Sequence, residues 1–368
     1  MKVIIAAGGT GGHLFPGIAI AREMRKINRK MQLDFIVTKK KSESRTVLKE
    51  GFSCYSLPVK GFLGKNYFEK MIVFPLFLAA SILLFLFIYL RRKPRAIVGT
   101  GGYASFVPLF VGVLFNTPTL ISEQDSYPGL TTRMLSRYVS EVHLAHRKAG
   151  LFLKAKRVFV TGNPLRDSIR EGTKEEALAH YDLDTKKMTV FIIGGSHGAH
   201  SINKVFVDVF LHHPFPVTQF IFQTGETDYK WVKDALKDTR ATVRILPFIE
   251  RMNLAYAAAD LMFSRAGALT IAELTARGIA SVLIPFPFAA GGHQEENARY
   301  LETIGASVLL LDRELSEERI VQIMHSLLGD EKRLRMMRTK ARSLCNPDAA
   351  KKIAERVIAL SGGKRDVS

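Results

Sequence analysis

The sequence predicts an α/β protein of two domains, each built on a parallel β-sheet covered by helices. Three observations support this fold class. An apolar strand pattern at residues 3–7 runs into a glycine-rich loop and then into a helical pattern. The same order of strand, glycine loop and helix returns at residues 189–199. Strands and helices alternate through the 368 residues, a length that suits about two domains.

The first loop reads Gly-Gly-Thr-Gly-Gly-His at residues 8–13. Glycines let the backbone turn tightly and approach a ligand without interference from a Cβ atom. The helix that follows would offer free N–H groups and the positive end of its dipole, which suit an anion or a polar sugar. The spacing is not the G-x-G-x-x-G of dinucleotide-binding proteins, which argues against a nicotinamide-dependent oxidoreductase.

Further strand patterns place the two domains along the chain. In the first half, strands are expected at residues 33–38, 52–57, 96–98, 119–122, 142–145 and 158–160. In the second half, they are expected at residues 219–223, 242–246, 261–263 and 281–284. A hinge is expected at 161–166, so the domains are predicted at 1–163 and 164–340. The remaining segment, 341–368, is predicted to be a helix that packs back toward the first domain.

Positive charge is concentrated in the first half of the chain, and the formal net charge is +19. Residues 1–163 contain 25 Lys and Arg against 8 Asp and Glu, a net of +17. Residues 164–368 contain 28 against 26, a net of +2. This asymmetry indicates an anionic partner, which could be nucleic acid or an anionic membrane surface.

Residues 71–90 carry no charge and are long enough to span a membrane. However, the strands before and after this segment are expected in one parallel sheet, which a membrane cannot divide. Positive residues on both sides also give no orientation bias. Pro75 is expected to interrupt a single straight helix.

We therefore predict that the segment from Met71 to Leu90 is an apolar helix or helical hairpin lying in the cytoplasmic leaflet. A helix wholly buried in the core is the alternative. Phe85 and Phe87 are expected on the membrane face, and the partner is expected to be a membrane surface and not nucleic acid. The basic residues expected to assist are Lys65, Lys70, Arg91, Arg92, Lys93 and Arg95.

Six glycine-rich or polar motifs follow one another along the chain. They are GGTGGH at 8–13, GTGGY at 99–103, GNPLR at 162–166, GGSHGA at 194–199, GALTIAE at 267–273 and HQEENA at 293–298. On these motifs the sequence resembles the MurG family of peptidoglycan glycosyltransferases over nearly its whole length. The resemblance implies a GT-B fold, two Rossmann-like domains facing a cleft, and inversion at the anomeric carbon of the transferred sugar.

The resemblance also implies a reaction. Enzymes of this family transfer N-acetylglucosamine from UDP-N-acetylglucosamine to undecaprenyl-pyrophosphoryl-N-acetylmuramyl-pentapeptide (lipid I), giving lipid II, as peripheral proteins on the cytoplasmic face of the cell membrane. The first domain would then face the acceptor and the membrane, and the second would bind the UDP-sugar. A UDP-N-acetylglucosamine 2-epimerase of the same fold is the alternative. A non-enzymatic basic membrane-binding protein would leave the paired glycine loops unexplained.

Binding residues are implied by matching these motifs position by position. The pyrophosphate of the acceptor would be bound at Gly101, Gly102 and Tyr103. The donor would be bound by Thr10, Gly11, Gly12, Asp125, Arg166, Ser196, Ile249, Ala268, Leu269, Thr270, Ile271, Ala272, Glu273, Gln294 and Asn297.

The chemistry of the donor explains several of these residue types. UDP leaves readily only if its growing negative charge meets fixed donors. Ser196 and the start of the helix near Ala268 suit the diphosphate, and Arg166 adds a permanent cation that would replace a metal. Glu273 lies one helical turn beyond Thr270, so its carboxylate could bind both ribose hydroxyls. By resemblance, the Ile249 backbone holds the uracil, while Gln294 and Asn297 hold the sugar hydroxyls.

The acceptor hydroxyl must lose a proton as it attacks, and His13 and Asp125 are both candidates for the base. The sequence reads Ser122-Glu123-Gln124-Asp125 where the family usually has His-Glu-Gln-Asn, and it has His197 where the family usually has Gln. The other histidines considered have no constellation of polar residues around them in the sequence and are expected to be structural or exposed: His143, His146, His212 and His213.

Metals and disulfides are not expected. Asp182 and Asp184 form the Asp-x-Asp pattern of metal-dependent glycosyltransferases, but they precede a strand away from the glycine loops, so a turn is predicted there. Cys54 and Cys345 lie far apart and match no metal spacing, which favours a reduced cytosolic compartment. Met1 begins a stretch that runs straight into a strand, so no signal peptide is expected. No cofactor is expected either.

Overall fold

The computed structural model describes residues 1–59, 73–195 and 198–362. It divides into two compact units, one formed by Met1–Arg166 with Asn346–Ser368 and the other by Asp167–Cys345. Each unit contains a parallel sheet covered by helices. The predicted fold class, α/β with two parallel-sheet domains, is confirmed.

The first unit has a seven-stranded sheet in the order β3-β2-β1-β4-β5-β6-β7, in which all the neighbouring strands are parallel. The strand order reverses between β1 and β4, so a crevice opens beyond their carboxyl ends. Both predicted glycine loops of this unit follow these two strands. The strands are β1 Lys2–Ala6, β2 Gln32–Thr38, β3 Ser53–Leu57, β4 Ala96–Gly99, β5 Thr119–Glu123, β6 Glu141–Leu144 and β7 Val158–Val160.

Among the described residues, five α-helices of the first unit precede the second unit in the chain. Helix α1 starts directly at the first glycine loop. Its buried residues Leu14, Ile18 and Ala21 have the spacing of one helical face and pack in the same core as the sheet. The helices are α1 Gly11–Ile27, α2 Lys41–Lys49, α3 Phe74–Arg92, α4 Phe106–Leu114 and α5 Leu130–Leu135.

The second unit repeats this arrangement with six parallel strands in the order β10-β9-β8-β11-β12-β13. Here the order reverses between β8 and β11. The strands are β8 Met188–Ile193, β9 Thr218–Gln223, β10 Thr242–Leu246, β11 Leu261–Ser264, β12 Ala280–Leu283 and β13 Ser307–Leu309. The helices are α6 Lys174–His180, α7 His200–His212, α8 Glu226–Ala235, α9 Met252–Ala258, α10 Ala268–Arg277, α11 His293–Ile304, α12 Glu317–Leu328 and α13 Glu331–Ser343.

The last helix, α14 (Ala349–Ser361), belongs to the first unit. Ile353, Ala354 and Val357 are buried in the same core as α1 and the sheet. Arg356 on this helix donates through Nε to Glu141 Oε2 at 3.1 Å, and its guanidinium also contacts Glu141 Oε1. Apolar packing and a charged hydrogen-bonded pair therefore hold α14 to the first sheet.

Glu141 makes the first unit sensitive to acid. Burial alone would raise the pKa of this carboxyl, but hydrogen bonds from His143 and Arg356 outweigh burial and lower it to about 2, from an ordinary 4.5. A carboxyl with a lowered pKa stabilises the fold above pH 4.5, and this contribution is lost as the pH falls toward 2. Since solvent screens the partly exposed Arg356, we expect the lowered pKa of Glu141 to add only about 2–3 kcal/mol to the free energy of unfolding at neutral pH.

Replacing Arg356 with methionine should therefore lower the free energy of unfolding at pH 7 and flatten its fall between pH 4.5 and 2. Urea unfolding of this unit across that range measures both effects. Lys352→Met, an exposed change on the same helix, serves as the control and should resemble the wild type. An Arg356→Met protein with the wild-type acid profile would contradict the role assigned to the pair.

Helix α3 corrects three expectations. Pro75 lies in the first turn, where a missing N–H costs nothing, so one uninterrupted helix runs from Phe74 to Arg92. Phe85 is fully buried and packs in the core, so it does not belong to an exposed face. A helix wholly buried in the core is also wrong, because Leu83 is 68% exposed and Phe87 is 61% exposed.

The surroundings of α3 favour a helix that lies against one sheet over a helix that crosses a bilayer. Strands β3 and β4, on either side of it in the chain, lie in one sheet. Arg92, at the end of α3, forms a bidentate pair with the buried carboxylate of Asp34. Its Nε donates to Oδ2 at 2.8 Å, and a second guanidinium nitrogen donates to Oδ1. Arg92 is therefore not available as a surface cation. Lys65, Lys70 and Met71 lie outside the described residues.

Candidate functional site

Each sheet places two loops side by side at its switch point. In the first unit these are the loop after β1 (residues 7–10) and the loop after β4 (residues 100–102). Thr100 joins them, since its backbone N–H donates to the Ala6 carbonyl at 3.1 Å and its hydroxyl to the His13 carbonyl at 2.7 Å. The first two sequence motifs thus form one site.

The imidazole of His13 packs on the second glycine loop. A Cβ atom on Gly102 would lie 2.8 Å from His13 Cδ2, and one on Gly101 would lie 3.1 Å from His13 Nδ1. Both glycines also have positive φ, +89° and +69° in chain order. Only glycine meets both requirements without strain, so Gly101 and Gly102 make room for the His13 ring.

Gln124 determines which ring nitrogen of neutral His13 carries the proton. Its Nε2 donates to the Ser122 carbonyl at 2.9 Å, which leaves its Oε1 facing His13 Nδ1 at 3.3 Å. An oxygen acceptor at Nδ1 requires the proton there, so in the neutral ring Nε2 carries the lone pair. A lone pair held in a fixed direction is what a general base needs.

Asp125 follows Gln124 directly and is held by a buried carboxyl. Glu123 is 2% exposed, and its two oxygens accept the N–H groups of Asp125 at 3.2 Å and Gly129 at 3.1 Å. Burial raises the pKa of Glu123, and the charge of Asp125 adds to this shift. His13 and Asp125, the two candidate bases, are therefore both positioned by the segment 122–125.

Tyr103 and Arg166 also lie at the first-unit site. A Cβ atom on Gly9 would lie 3.3 Å from Tyr103 Cε1, so the ring borders the first glycine loop. Arg166 lies over the ring of Phe15 on α1, 4.0 Å from its centroid. The expected cation thus stands beside the helix that carries His13. Thr10, at the N-terminal end of α1, is exposed, and Gly11 and Gly12 form the first turn.

In the second unit, Gln223 connects the glycine loop to the position expected to bind uracil. Its Nε2 donates to the Gly195 carbonyl at 3.0 Å, while its Oε1 accepts the Ile249 N–H at 2.9 Å. A Cβ atom on Gly198 would lie 1.9 Å from the Thr224 carbonyl oxygen, so only glycine fits there. Ser196 and His197 lie outside the described residues.

Helix α10 begins at Ala268, as expected, and its first turns contain Leu269 to Ala272. Glu273 is 7% exposed, and its Oε2 accepts the hydroxyl of Tyr256 at 2.8 Å. The sequence suggests an exposed carboxylate or a ribose ligand at this position. The structure shows a buried carboxylate oriented by a buried tyrosine.

Gln294 and Asn297 both lie on α11 and both contact the loops at strand ends. Gln294 Oε1 accepts the Phe286 N–H at 2.9 Å, and Asn297 Nδ2 reaches the Ala266 carbonyl at 3.4 Å. Asn297 is 2% exposed, and its Oδ1 has no hydrogen-bond partner among the described residues. This amide oxygen is suited to a donor supplied by a ligand.

Gln223 and Tyr256 were missed by the sequence analysis. Gln223 ends a strand beside a glycine loop, a position that could have drawn attention, whereas nothing in the sequence joins Tyr256 to Glu273. The four histidines expected to have no polar constellation include three that do. His143 Nε2 lies 3.3 Å from Glu141 Oε2, and His212 and His213 each lie 3.0 Å from Glu317.

The Asp-x-Asp pair lies apart from these sites. Asp182 contacts the guanidinium of Arg244, and Asp184 Oδ1 accepts the Lys186 N–H at 2.8 Å. Asp182 adopts a positive φ of 51°, as expected in a turn. Within residues 1–59, 73–195 and 198–362, no group of three or more His, Cys, Asp or Glu side chains could hold a metal ion.

Paired parallel-sheet units with a glycine-loop site at each switch point are the arrangement of the GT-B fold, and the family matches define the enzyme class as a glycosyltransferase. Residues 3–144 match the glycosyltransferase family 28 N-terminal domain, and residues 189–357 match the glycosyltransferase family 28 C-terminal domain. A relative from Thermodesulfovibrio yellowstonii, named UDP-N-acetylglucosamine–N-acetylmuramyl-(pentapeptide) pyrophosphoryl-undecaprenol N-acetylglucosamine transferase, is 39% identical over 99% of this chain and 100% of its own.

Solved structures of related proteins have the same two-domain fold. MurG of Acinetobacter baumannii aligns with a TM-score of 0.75 and 26% identity over 97% of this chain and 99% of its own. The UDP-GlcNAc 2-epimerase of Neisseria meningitidis aligns with a TM-score of 0.71 and 14% identity over 98% and 100%, which shows a shared fold alone. The chain belongs to the MurG family of glycosyltransferases within family 28.

Proposed function

We propose that this protein transfers N-acetylglucosamine from UDP-N-acetylglucosamine to the 4-hydroxyl of the muramyl sugar of lipid I, with inversion, to form lipid II for peptidoglycan synthesis. One observation carries the proposal: the 39% identity, over 99% of the chain, to a transferase whose name gives this donor and this acceptor. The two switch-point sites contain groups that could serve this reaction, which supports the proposal.

The second unit would bind the donor. Departure of UDP needs positive charge and N–H donors around the diphosphate. The start of α10 at Ala268 offers such donors, and Ser196 stays a predicted partner. Arg166 also stays a predicted partner of the diphosphate, although it belongs to the first unit. Glu273, held by Tyr256, would bind the ribose. The Ile249 N–H is already engaged by Gln223, so we assign its carbonyl to the N3–H of uracil.

The first unit would bind the acceptor and remove its proton. Gly101, Gly102 and Tyr103 would border the acceptor pyrophosphate. Burial, with the nearby charge of Glu43, raises the pKa of Tyr103, so its hydroxyl stays a donor. His13 is our preferred base, because its Nε2 lone pair is held in a fixed direction. Asp125 is the alternative, and it would otherwise contact the donor sugar.

A labelled transfer assay tests the proposal. The protein is incubated with labelled UDP-N-acetylglucosamine and a lipid I analogue, and the lipid fraction is separated by chromatography. We expect label in a disaccharide lipid only when both substrates are present. EDTA should leave most of this activity intact. Absence of a labelled disaccharide lipid, with substrates verified by an active relative, would contradict the proposal.

We also propose that the exposed face of α3 lies in the cytoplasmic leaflet, which would bring the first unit to its lipid-linked acceptor as a peripheral protein. The helix Phe74–Arg92 is long and apolar enough to cross a membrane, and only 17% of its apolar 18-residue stretch is buried in the protein. The exposed large hydrophobic side chains of this helix are Leu76, Leu83, Leu84, Phe87 and Leu90. Arg91 and Lys93 stand at its end, where they suit anionic head groups.

Aspartate at Phe87 should weaken binding to anionic phosphatidylglycerol vesicles by about tenfold, because a large side chain leaves the interface and a charge enters it. Co-sedimentation measures the binding, and calorimetry should show unchanged affinity for UDP. Leu211→Asp is the control, because it places the same charge at an exposed apolar residue of the second unit, away from α3. Wild-type vesicle binding by Phe87→Asp would contradict the membrane assignment.

A further inference from the structure

The first glycine loop is held by two charged side chains that the proposed function does not use. The N–H of Gly9 donates to Glu43 Oε1 at 2.9 Å, and the Gly9 carbonyl accepts from Lys40 Nζ at 2.9 Å. Lys40 immediately precedes α2, and Glu43 lies in its first turn. Opposite charges from one short segment therefore engage both polar groups of one loop residue. Charge-assisted hydrogen bonds of this kind are stronger than neutral ones.

Glu43 is itself fixed to the sheet. It is 5% exposed, and its Oε2 accepts both the backbone N–H of Thr38 at 3.0 Å and the Thr38 hydroxyl at 2.8 Å. A buried carboxylate is costly unless hydrogen-bonded, and three donors meet this one. Because Thr38 ends β2, beside β1, the carboxylate fastens Gly9 to a rigid part of the fold.

The conformation of the loop depends on this attachment. Gly9 has a φ of +106°, which favours glycine, and α1 starts two residues later at Gly11. A Cβ atom on Gly8 would lie 2.9 Å from Glu43 Oε2, so the carboxylate occupies the space of a side chain. Turning either peptide group of Gly9 would move the first turn of α1, where His13 lies.

We propose that Glu43 and Lys40 are positioning residues, which set the peptide groups of Gly9 and thereby aim the 10–13 segment at the reacting sugar. Neither residue touches substrate in this account. The inference rests on the proposed function, because it assigns the device to the loop that carries His13. The role differs from a general contribution to folding, because its loss should reduce turnover while the second unit still binds UDP.

The main test is Lys40→Met, which removes the ammonium group and keeps most of the apolar stem. We expect kcat to fall about tenfold, because a first glycine loop that is no longer held would present His13 to the acceptor less precisely. The Kd for UDP by calorimetry should stay within about twofold of the wild type, since the contacts proposed for the uracil and the ribose lie in the second unit. Lys41→Met is the matched control, one residue along, and should leave both values unchanged. Glu43→Gln should behave like Lys40→Met, and Glu43→Ala should lose more.

A double-mutant cycle separates positioning from general stability. In a His13→Ala background, adding Lys40→Met should lower kcat by less than about twofold, because the group it aims is already absent. Wild-type kcat in Lys40→Met, or a tenfold further loss in the His13→Ala background, would overturn the proposal. If Glu43→Ala does not fold, the Lys40 variants still decide the question. A wild-type protein without transferase activity would instead remove the proposed function itself.

Discussion

Replacing His13 with alanine is expected to lower kcat by about 10²–10⁴, the range that follows loss of a general acid–base group. The reason is geometric. Gln124 holds Nδ1, the second glycine loop packs on the ring, and Nε2 is left as the acceptor of the proton. Steady-state kinetics with a lipid I analogue measures the loss. The Kd for UDP should be unchanged in the same protein.

The comparison with Asp125 decides which group is the base. Asp125→Asn places at this position the residue that the family usually has. If His13 is the base, Asp125→Asn should keep kcat within about tenfold of the wild type, and a loss of 10² or more would point to Asp125 instead. Near-normal turnover in His13→Ala would remove His13 from the reaction.

Replacing Glu273 with alanine is expected to weaken UDP binding by about 10–150-fold. A charge-assisted contact to the ribose is worth about 1.5–3 kcal/mol, which corresponds to this change. The buried position of Glu273 and its hydrogen bond from Tyr256 restrict the carboxylate to one orientation. Calorimetry with UDP measures the affinity without involving the acceptor.

Two further variants test this assignment. Glu273→Gln keeps the shape of the side chain and loses its charge, so it should weaken UDP binding by less than alanine does. Tyr256→Phe removes only the orienting hydroxyl and should have the smallest effect of the three. Wild-type affinity for UDP in a folded Glu273→Ala protein would exclude Glu273 from the donor site.

The sequence predicts the sheets well, because strands buried on both faces of a parallel sheet are nearly continuous apolar runs. The run at 3–7 corresponds to β1 at Lys2–Ala6, and the glycines beyond it mark the switch point. Strand β13 at Ser307–Leu309 was missed, although the equally short β7 at Val158–Val160 was predicted. Pro75 was wrongly predicted to interrupt α3, because a proline in the first turn of a helix looks in sequence like one that breaks it.

The supporting residues of the site could not be predicted, because they depend on contacts between distant segments. Gln223 joins Gly195 to Ile249, and Glu43 joins Gly9 to Thr38 across a sheet edge. Each is a single polar residue with no local motif. Motifs predict the backbone loops that approach a ligand, whereas the side chains that hold those loops become visible only in the fold.

One measurement tests the central claim most directly: a proton NMR time course of UDP-N-acetylglucosamine with the protein, first alone and then after addition of the lipid I analogue. We expect little change in the spectrum of UDP-N-acetylglucosamine while the acceptor is absent. After addition, UDP should appear together with a new β-linked N-acetylglucosamine, the product of inversion. Conversion of the donor to its 2-epimer without acceptor, or an α-linked product, would contradict the account.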